Sequence, residues 1–359
     1  MRRRPLLLAG LGLALAACGA LGRPAKGNGL QALAAQRGLT WGSALSLAAL
    51  DQPELLTLIQ HNVGAITPEN ALKWDATEPE PGRFSFSDAD RQLAYAKRNQ
   101  MTVRGHALVW HRQLPGWLES LEPTPLRQAL ERHVQHVASH TRGRVISWDV
   151  VNEPLDEQGH GLRRSLWLEK LGPDYIADAL RWARQADPKA RLLINDYGLE
   201  GDDPQTARKR VSLLTLIDQL QRDGVPLDGI GLQAHLVAPR EDEPRFATLP
   251  AFLQQLRQRG LAVEITELDV SDRELPSATA LRDGRVAATY GAFLRAVLPE
   301  PALKQITTWG LSDRDTWLNG AFPRSDGLPQ RPLPYDANLQ AKPARSSIAA
   351  TLQPTEAPR

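Results

Sequence analysis

A single (β/α)8 TIM barrel is the fold this sequence predicts, and three observations predict it. Eight short apolar, strand-like runs alternate with amphipathic helical stretches from residue 39 onward. No break in that span is large enough to divide it, and no internal repeat occurs. Polar and aromatic side chains gather where the strand-like runs end. Strands alternating with helices give a parallel sheet with helices outside it. In a closed barrel all the strand ends then share one face.

The predicted strands cover residues 39–44, 63–67, 102–109, 145–151, 191–196, 229–234, 262–267 and 305–309. Helices fall between them, for example over 88–99, 125–140, 173–185, 204–223 and 280–298. The polar or aromatic strand ends are Glu69-Asn70, His106, Trp110-His111, Asn152-Glu153, Asn195-Asp196, Gln233, His235, Glu267, Asp269 and Trp309. Strand-to-loop punctuation accounts for Asp and Asn at such places, but poorly for Glu, Gln, His and Trp. Their recurrence points to one functional face assembled from distant segments.

The N-terminus is a separate element. Residues 1–18 read MRRRPLLLAGLGLALAAC: a basic start, then an apolar run too short and too Gly-interrupted for a good membrane span. This is an export signal over 1–17. Its end, Leu15-Ala16-Ala17-Cys18, resembles the bacterial lipoprotein processing box, in which the Cys becomes the first residue and carries lipid. An ordinary cleaved signal is the alternative. Residues 18–29, rich in Gly and Ala, read as a flexible tether, and 30–354 as the single barrel domain. The expected location is outside the cytoplasm, anchored by lipid at the periplasmic or outer surface, or otherwise secreted. Membrane contact is expected only through Cys18, and a monomer is expected.

Composition excludes several functions. Arg2, Arg3 and Arg4 supply three of the 43 basic residues, so residues 18–359 hold 40 against 41 acidic, a balance of −1. Such a chain offers nothing to a polyanion, and nucleic acid is not an expected partner. Cys18 is the only cysteine, which excludes an internal disulfide, a thiolate nucleophile in the body and a Cys-based metal site. Nine Trp is a raised count. Indole N–H groups make Trp awkward core filler, whereas a sugar-binding cleft uses flat apolar rings.

Two glutamates stand out. Glu153 ends the fourth predicted strand and Glu267 the seventh. An eight-strand circle with strands ~4.8 Å apart, tilted ~36°, has a radius of about 8 Å and puts these strands about 14 Å apart. Side chains reaching inward ~4–5 Å leave roughly 5 Å between the carboxyls, the separation of retaining glycosidases. Glu153 is expected to start protonated and donate to the leaving oxygen. Glu267 is expected to start ionised and attack the anomeric carbon, with His235 and Asp269 orienting it. Asn152 can hydrogen-bond the sugar 2-hydroxyl.

With these residues placed, the chain resembles the xylanases of glycoside hydrolase family 10 over about residues 39–350. The motifs run in order: Thr67-Pro68-Glu69-Asn70-Ala71-Leu72-Lys73-Trp74, then Arg104-Gly105-His106-Ala107-Leu108-Val109-Trp110-His111, then residues 148–153. Next come Asn195-Asp196-Tyr197, Gly231-Leu232-Gln233-Ala234-His235, residues 265–269, Trp309-Gly310 and Asp313-Arg314-Asp315-Thr316-Trp317. The resemblance implies an endo-1,4-β-xylanase acting on xylan and xylo-oligosaccharides without a cofactor. It implies that Glu69, Asn70, Lys73 and Gln113 bind the sugar at subsite −2. His106, Trp110, Asn152, Gln233 and His235 then surround subsite −1, and Trp309 and Trp317 form an aromatic wall that disfavours a 6-hydroxymethyl group. Gly198 departs from the pattern, because many relatives carry Asn there, on the leaving-group side.

Three other readings compete with this one. A metal site built from His106, His111, His235 and Glu267 lacks the usual ligand spacing, and no catalytic metal is expected. The line His133, His136, His140 on one helix reads as a solvated or interfacial face rather than a ligand set. A non-catalytic, lipid-anchored carbohydrate-binding protein would be signalled by loss of either Glu, and both are present. A mixed β-1,4-glycanase acting also on cellulose would share every catalytic residue and differ only in pocket shape.

Overall fold

The computed structural model describes residues 27–353, apart from Asp242 and Pro244. The expected export signal and Cys18 lie outside the described residues. Nine strands occur among those described: β1 Thr40–Leu45, β2 Ala65–Pro68, β3 Thr102–Val109, β4 Ser147–Asn152, β5 Arg191–Asp196, β6 Gly229–Leu232, β7 His235–Val237, β8 Ala262–Ser271 and β9 Leu303–Thr308. Every pairing is parallel. β1 pairs with β2 and β9, and β6 pairs with β5 and β8, so eight strands close into a (β/α)8 TIM barrel.

The ninth strand is the departure from expectation. The run expected over 229–234 breaks after Leu232, because Ala234 takes a left-handed φ of 59°. The chain then resumes as β7, which pairs only with the upper end of β8, from His235↔Asp269 to Val237↔Ser271. This partner carries β8 past Glu267, where its end was expected, to Ser271. Against β9 the register of β8 slips between Ile265 and Leu268. A bulge of that kind re-aims a side chain, and here it falls at Glu267.

The five helices read from the sequence are found at Ser87–Arg98, Pro123–Thr141, Tyr175–Ala186, Pro204–Arg222 and Thr279–Val297. Pro204–Arg222 shows why such boundaries are legible. Asp203 accepts hydrogen bonds from the backbone of Gln205 and Thr206, and Pro204 occupies the first turn. On Pro123–Thr141 the histidine line is interfacial. His133 stacks on Trp74 at 3.7 Å, His136 on Phe84 at 4.6 Å and His140 on Phe86 at 3.8 Å.

The tryptophan expectation needs correction. Trp41, Trp74, Trp148, Trp167 and Trp182 are buried in the core, and only the remaining four are available to a cleft. Trp148 shows how the core admits so large a ring: a Cβ on Gly105 of neighbouring β3 would lie 2.3 Å from it. Inside the barrel, Arg104 is fully buried and pairs with both Asp149 (2.5 Å) and Glu264 (2.6 Å). Glu264 also binds Arg191 at 2.7 Å and accepts from Ser147. Each buried charge therefore has its opposite.

The helix Leu30–Ala35 lies at the lower face, where the strands begin. Gln31 Oε1 accepts from the backbone N–H of Trp41 at 2.7 Å, at the start of β1. Gly29, at the end of the expected tether, is buried so closely against His61 that no Cβ would fit. Arg37 donates to the carbonyl of Leu352 at 2.8 Å, tying the first and last helices together. No helix among the described residues is long and apolar enough to cross a membrane.

Candidate active site

The opposite face carries the expected cluster. Glu153 comes directly after the last residue of β4, and Glu267 lies in β8. Both are largely buried, at 9% and 4% exposure. Glu153 has a φ of 56° and Gln113 one of 49°. With Ala234, three non-glycine residues in the left-handed region thus surround one site. Such backbone is held only where the surroundings enforce it. At Glu153, Arg163 donates to the backbone carbonyl at 3.0 Å and the N–H bonds Asn195 O at 2.7 Å.

A chain of amides joins the two carboxylates. Gln233 Nε2 donates to Glu153 Oε1 at 3.1 Å and to Asn152 Oδ1 at 3.3 Å. Asn195 Nδ2 donates to Asn152 Oδ1 at 2.9 Å and to Glu267 Oε1 at 2.7 Å. Thr266 Oγ1 donates to Asn195 Oδ1 at 2.7 Å, which fixes the amide's orientation. Asn152 Nδ2 adds a longer contact to Glu153 at 3.4 Å.

Glu267 is held ionised. Burial alone would raise its carboxyl, but the charge of His106 and the hydrogen bonds of His235 and Asn195 outweigh it and hold it down at about 2. His235 Nε2 lies 3.2 Å from Glu267 Oε2, and its Nδ1 lies 3.0 Å from Asp269 Oδ1. Burial opposes the charge on His235, yet two flanking carboxylates push its value well above the usual 6.5. Trp317 Nε1 donates to the second oxygen of Asp269 at 2.8 Å. Beneath them His106 Nδ1 sits 2.9 Å from Asp149 and 3.9 Å from Glu267. His106, Asp149 and Glu267 lie close enough to be compared with a metal site. Arg104 already takes both oxygens of Asp149, and the Glu267 oxygens accept from Asn195 and face His235, so the set fits a hydrogen-bonded network.

Glu153 has a different neighbour. His111 Nδ1 lies 3.8 Å from it. Burial lowers that imidazole to about 4, so at neutral pH it is uncharged. One glutamate thus faces a cation and the other a neutral ring.

A second group of side chains extends the site to one side. Lys73 Nζ donates to Asn70 Oδ1 at 2.9 Å and Gln113 Oε1 at 2.7 Å, and lies 4.9 Å from the Trp110 ring centre. Burial lowers the Lys73 ammonium and raises the nearby Glu69 carboxyl. Trp309 meets His106 edge to face at 5.2 Å, and Trp317 leans on His235 at 4.9 Å. Glu69, Trp309 and Trp317 also border a small cavity of about 30 Å³, room for one water. Every site residue expected from the sequence within the described residues therefore meets on this face.

Three residues there have parts that the strand-end pattern does not reveal. Asn195 sits in a strand-end motif, but its part as the link between Asn152 and Glu267 emerges only from the packing of β4, β5 and β8. Asp149 and Arg104 lie inside strands, where strand-end reasoning does not look. On the other side of Glu153, Lys209 binds Asp196 at 2.7 Å and lies 3.8 Å from the Tyr197 ring centre. Burial there raises Asp196 to about 6. Gly198 has a φ of +67°, and the nearest atom to an added Cβ would be Lys209 at 3.9 Å. Gly and Asn are the residues that best tolerate that backbone.

Comparison with known proteins agrees with this fold. Residues 29–351 match the model of the family described as Glycosyl hydrolase family 10. An endo-1,4-beta-xylanase of Agaricus bisporus is 38% identical over 289 residues, 79% of this chain and 81% of that protein. The native xylanase 10B of Thermotoga maritima superposes with a TM-score of 0.83 at 33% identity, covering 90% of this chain and 98% of the other. The Thermotoga petrophila RKU-1 xylanase 10B in complex with xylobiose gives the same TM-score and identity over 90% and 97%. Eight ordered motifs, a closed barrel with its polar residues on one face and matches spanning nearly the whole described chain lead to one assignment: this protein belongs to glycosyl hydrolase family 10.

Proposed function

We infer that the chain is an endo-1,4-β-xylanase that hydrolyses internal bonds of xylan with retention of anomeric configuration. The observation that carries the division of roles is the contrast between the two glutamates. Glu267 stands between His235 and Asn195 at hydrogen-bond distance, with its carboxyl held at about 2. An anion so placed is a nucleophile for the anomeric carbon. Glu153, beside uncharged His111, gives its proton to the departing glycosidic oxygen as the sugar–Glu267 ester forms. It then takes a proton from water, whose oxygen attacks the anomeric carbon and releases Glu267.

Asn152 is assigned to the 2-hydroxyl of the reacting sugar. Its Oδ1 is occupied by Asn195 and Gln233, which leaves its Nδ2 to donate. Lys73, Asn70, Gln113 and Glu69 are assigned to the next sugar along the chain, and Trp309 and Trp317 to the wall above both. Proton NMR of a fresh xylan digest tests the reading: the β-anomer of the product should appear first. First appearance of the α-anomer would refute retention.

Export and lipidation at Cys18 complete the proposal. The signal-like residues 1–17 and the lone cysteine at the end of the processing box support it. Lipid labelling of the intact protein that persists in Cys18→Ala would contradict it.

A further inference from the structure

We propose that the lower face of the barrel docks on an anionic phospholipid surface and so points the catalytic mouth away from it. The face is the one opposite Glu153 and Glu267, formed by the starts of the strands and the ends of the helices. Six exposed basic residues ring it. Lys97 and Arg98 end one helix, Arg222 ends another, Arg142 comes just after Pro123–Thr141, Lys189 precedes β5, and Lys304 is the second residue of β9. None of the six forms an ion pair with another described residue.

Acidic groups on the same rim are engaged elsewhere. Asp90 holds Arg144 and His140, Asp228 holds Arg184, and buried Glu300 holds Arg257. Asp223 is exposed and accepts from Gln219. The helix dipole favours a cation in each last turn. It does not reach Lys189 or Lys304, which lie on a connecting turn and on a strand. Nor is the ring a consequence of a basic protein, because residues 18–359 carry a balance of −1. The positive charge is one of placement.

The first described residues lie at this face. Asn28 lies beside His61, in the last turn of its helix, with Nε2 and Oδ1 3.3 Å apart. Nine residues lie between Cys18 and Asn28, and the ten residue steps that join them span at most ~33–36 Å. A lipid on Cys18 would hold the basic ring near the headgroups, where Lys and Arg are attracted to anionic lipid within a Debye length of ~8 Å. The anchored half of this picture rests on the lipidation reading. The docking half does not, and its test omits the lipid.

The test uses residues 18–359 with Cys18→Ser, sedimented with phosphatidylcholine vesicles with and without phosphatidylglycerol. Partition onto the anionic vesicles should exceed that onto neutral ones by about tenfold or more, and high salt should abolish it. The combined variant Arg98→Glu, Arg142→Glu, Lys189→Glu, Lys304→Glu should lose that excess while hydrolysing xylo-oligosaccharides as before, which certifies its fold. Equal partition onto both vesicles, none at low salt, or partition indifferent to the charge reversals would overturn the proposal. Binding to a uronic-acid-bearing polysaccharide without binding to vesicles would assign the face to an acidic polymer, and would overturn it too.

Discussion

Asn195 on β5 donates a 2.7 Å hydrogen bond to Glu267 on β8, and the same nitrogen reaches Asn152 at 2.9 Å. One amide therefore ties the proposed nucleophile to the residue that precedes the proposed acid/base. A hydrogen bond to a charged group contributes about 1.5–3 kcal/mol, so Asn195→Ala should lower kcat by about 10–100-fold. The acidic limb of the kcat/KM profile should also move to higher pH, because Glu267 loses a donor that stabilises its anion. A profile that stays in place would show that the bond does not tune Glu267.

The His235–Glu267 pair gives a pH dependence of known sign. Glu267 has a folded value, about 2, below its ordinary 4.5. Its contribution to stability is complete above pH 4.5 and is lost as the pH falls towards 2. His235 is shifted the other way, well above 6.5. Its contribution is complete below pH 6.5 and disappears as the pH rises through that higher folded value. Urea unfolding at a series of pH values should therefore show His235→Gln losing stability relative to the parent at pH 6 and converging with it at high alkaline pH. A gap that widens with rising pH would contradict the charge assignment.

Lys73 binds Asn70 and Gln113 and is assigned to the sugar next to the reacting one. Lys73→Met should raise KM for xylotriose by about 10–100-fold and change kcat less. The reverse pattern, in steady-state kinetics, would place the lysine at the chemical step.

Trp317 donates to Asp269 and is assigned to the wall above the sugars. Trp317→Phe keeps an aromatic face and removes the donor; Trp317→Ala removes both. The ratio of carboxymethylcellulose to xylan hydrolysis should rise in the Ala variant, where space opens for a 6-hydroxymethyl group, and stay near the parent value in Phe. An unchanged ratio in both would mean that another residue sets the preference.

Gly105→Ala tests the packing of β3 against β4. The new methyl would stand 2.3 Å from the Trp148 ring, and overpacking of this kind costs about 1–3 kcal/mol. Thermal unfolding should show a lower Tm.

Much of the fold and site is legible in the chain because a parallel barrel repeats one rule: each strand is a short apolar run, and the residues at its C-terminal end face the site. Glu153, Glu267, His235 and Trp309 are found that way. The rule fails where pairing is non-local. β7 and the extension of β8 stabilise each other across 34 residues, from His235 to Asp269, and neither segment alone announces a strand. It fails again inside strands, where Asp149 and Arg104 read as isolated charges until Glu264 and His106 are seen beside them. Tryptophan misleads as a count, because Trp41, Trp148 and Trp167 are buried in the core, where Gly105 leaves room for the Trp148 ring.

The most direct measurement is release of reducing sugar from xylan by the protein and by Glu267→Ala, with carboxymethylcellulose in parallel. The intact protein should degrade xylan in strong preference to carboxymethylcellulose, and the variant should lose about 10⁴-fold or more of that activity while remaining folded. No release from xylan by the intact protein, or a folded Glu267→Ala within about tenfold of it, would contradict the account.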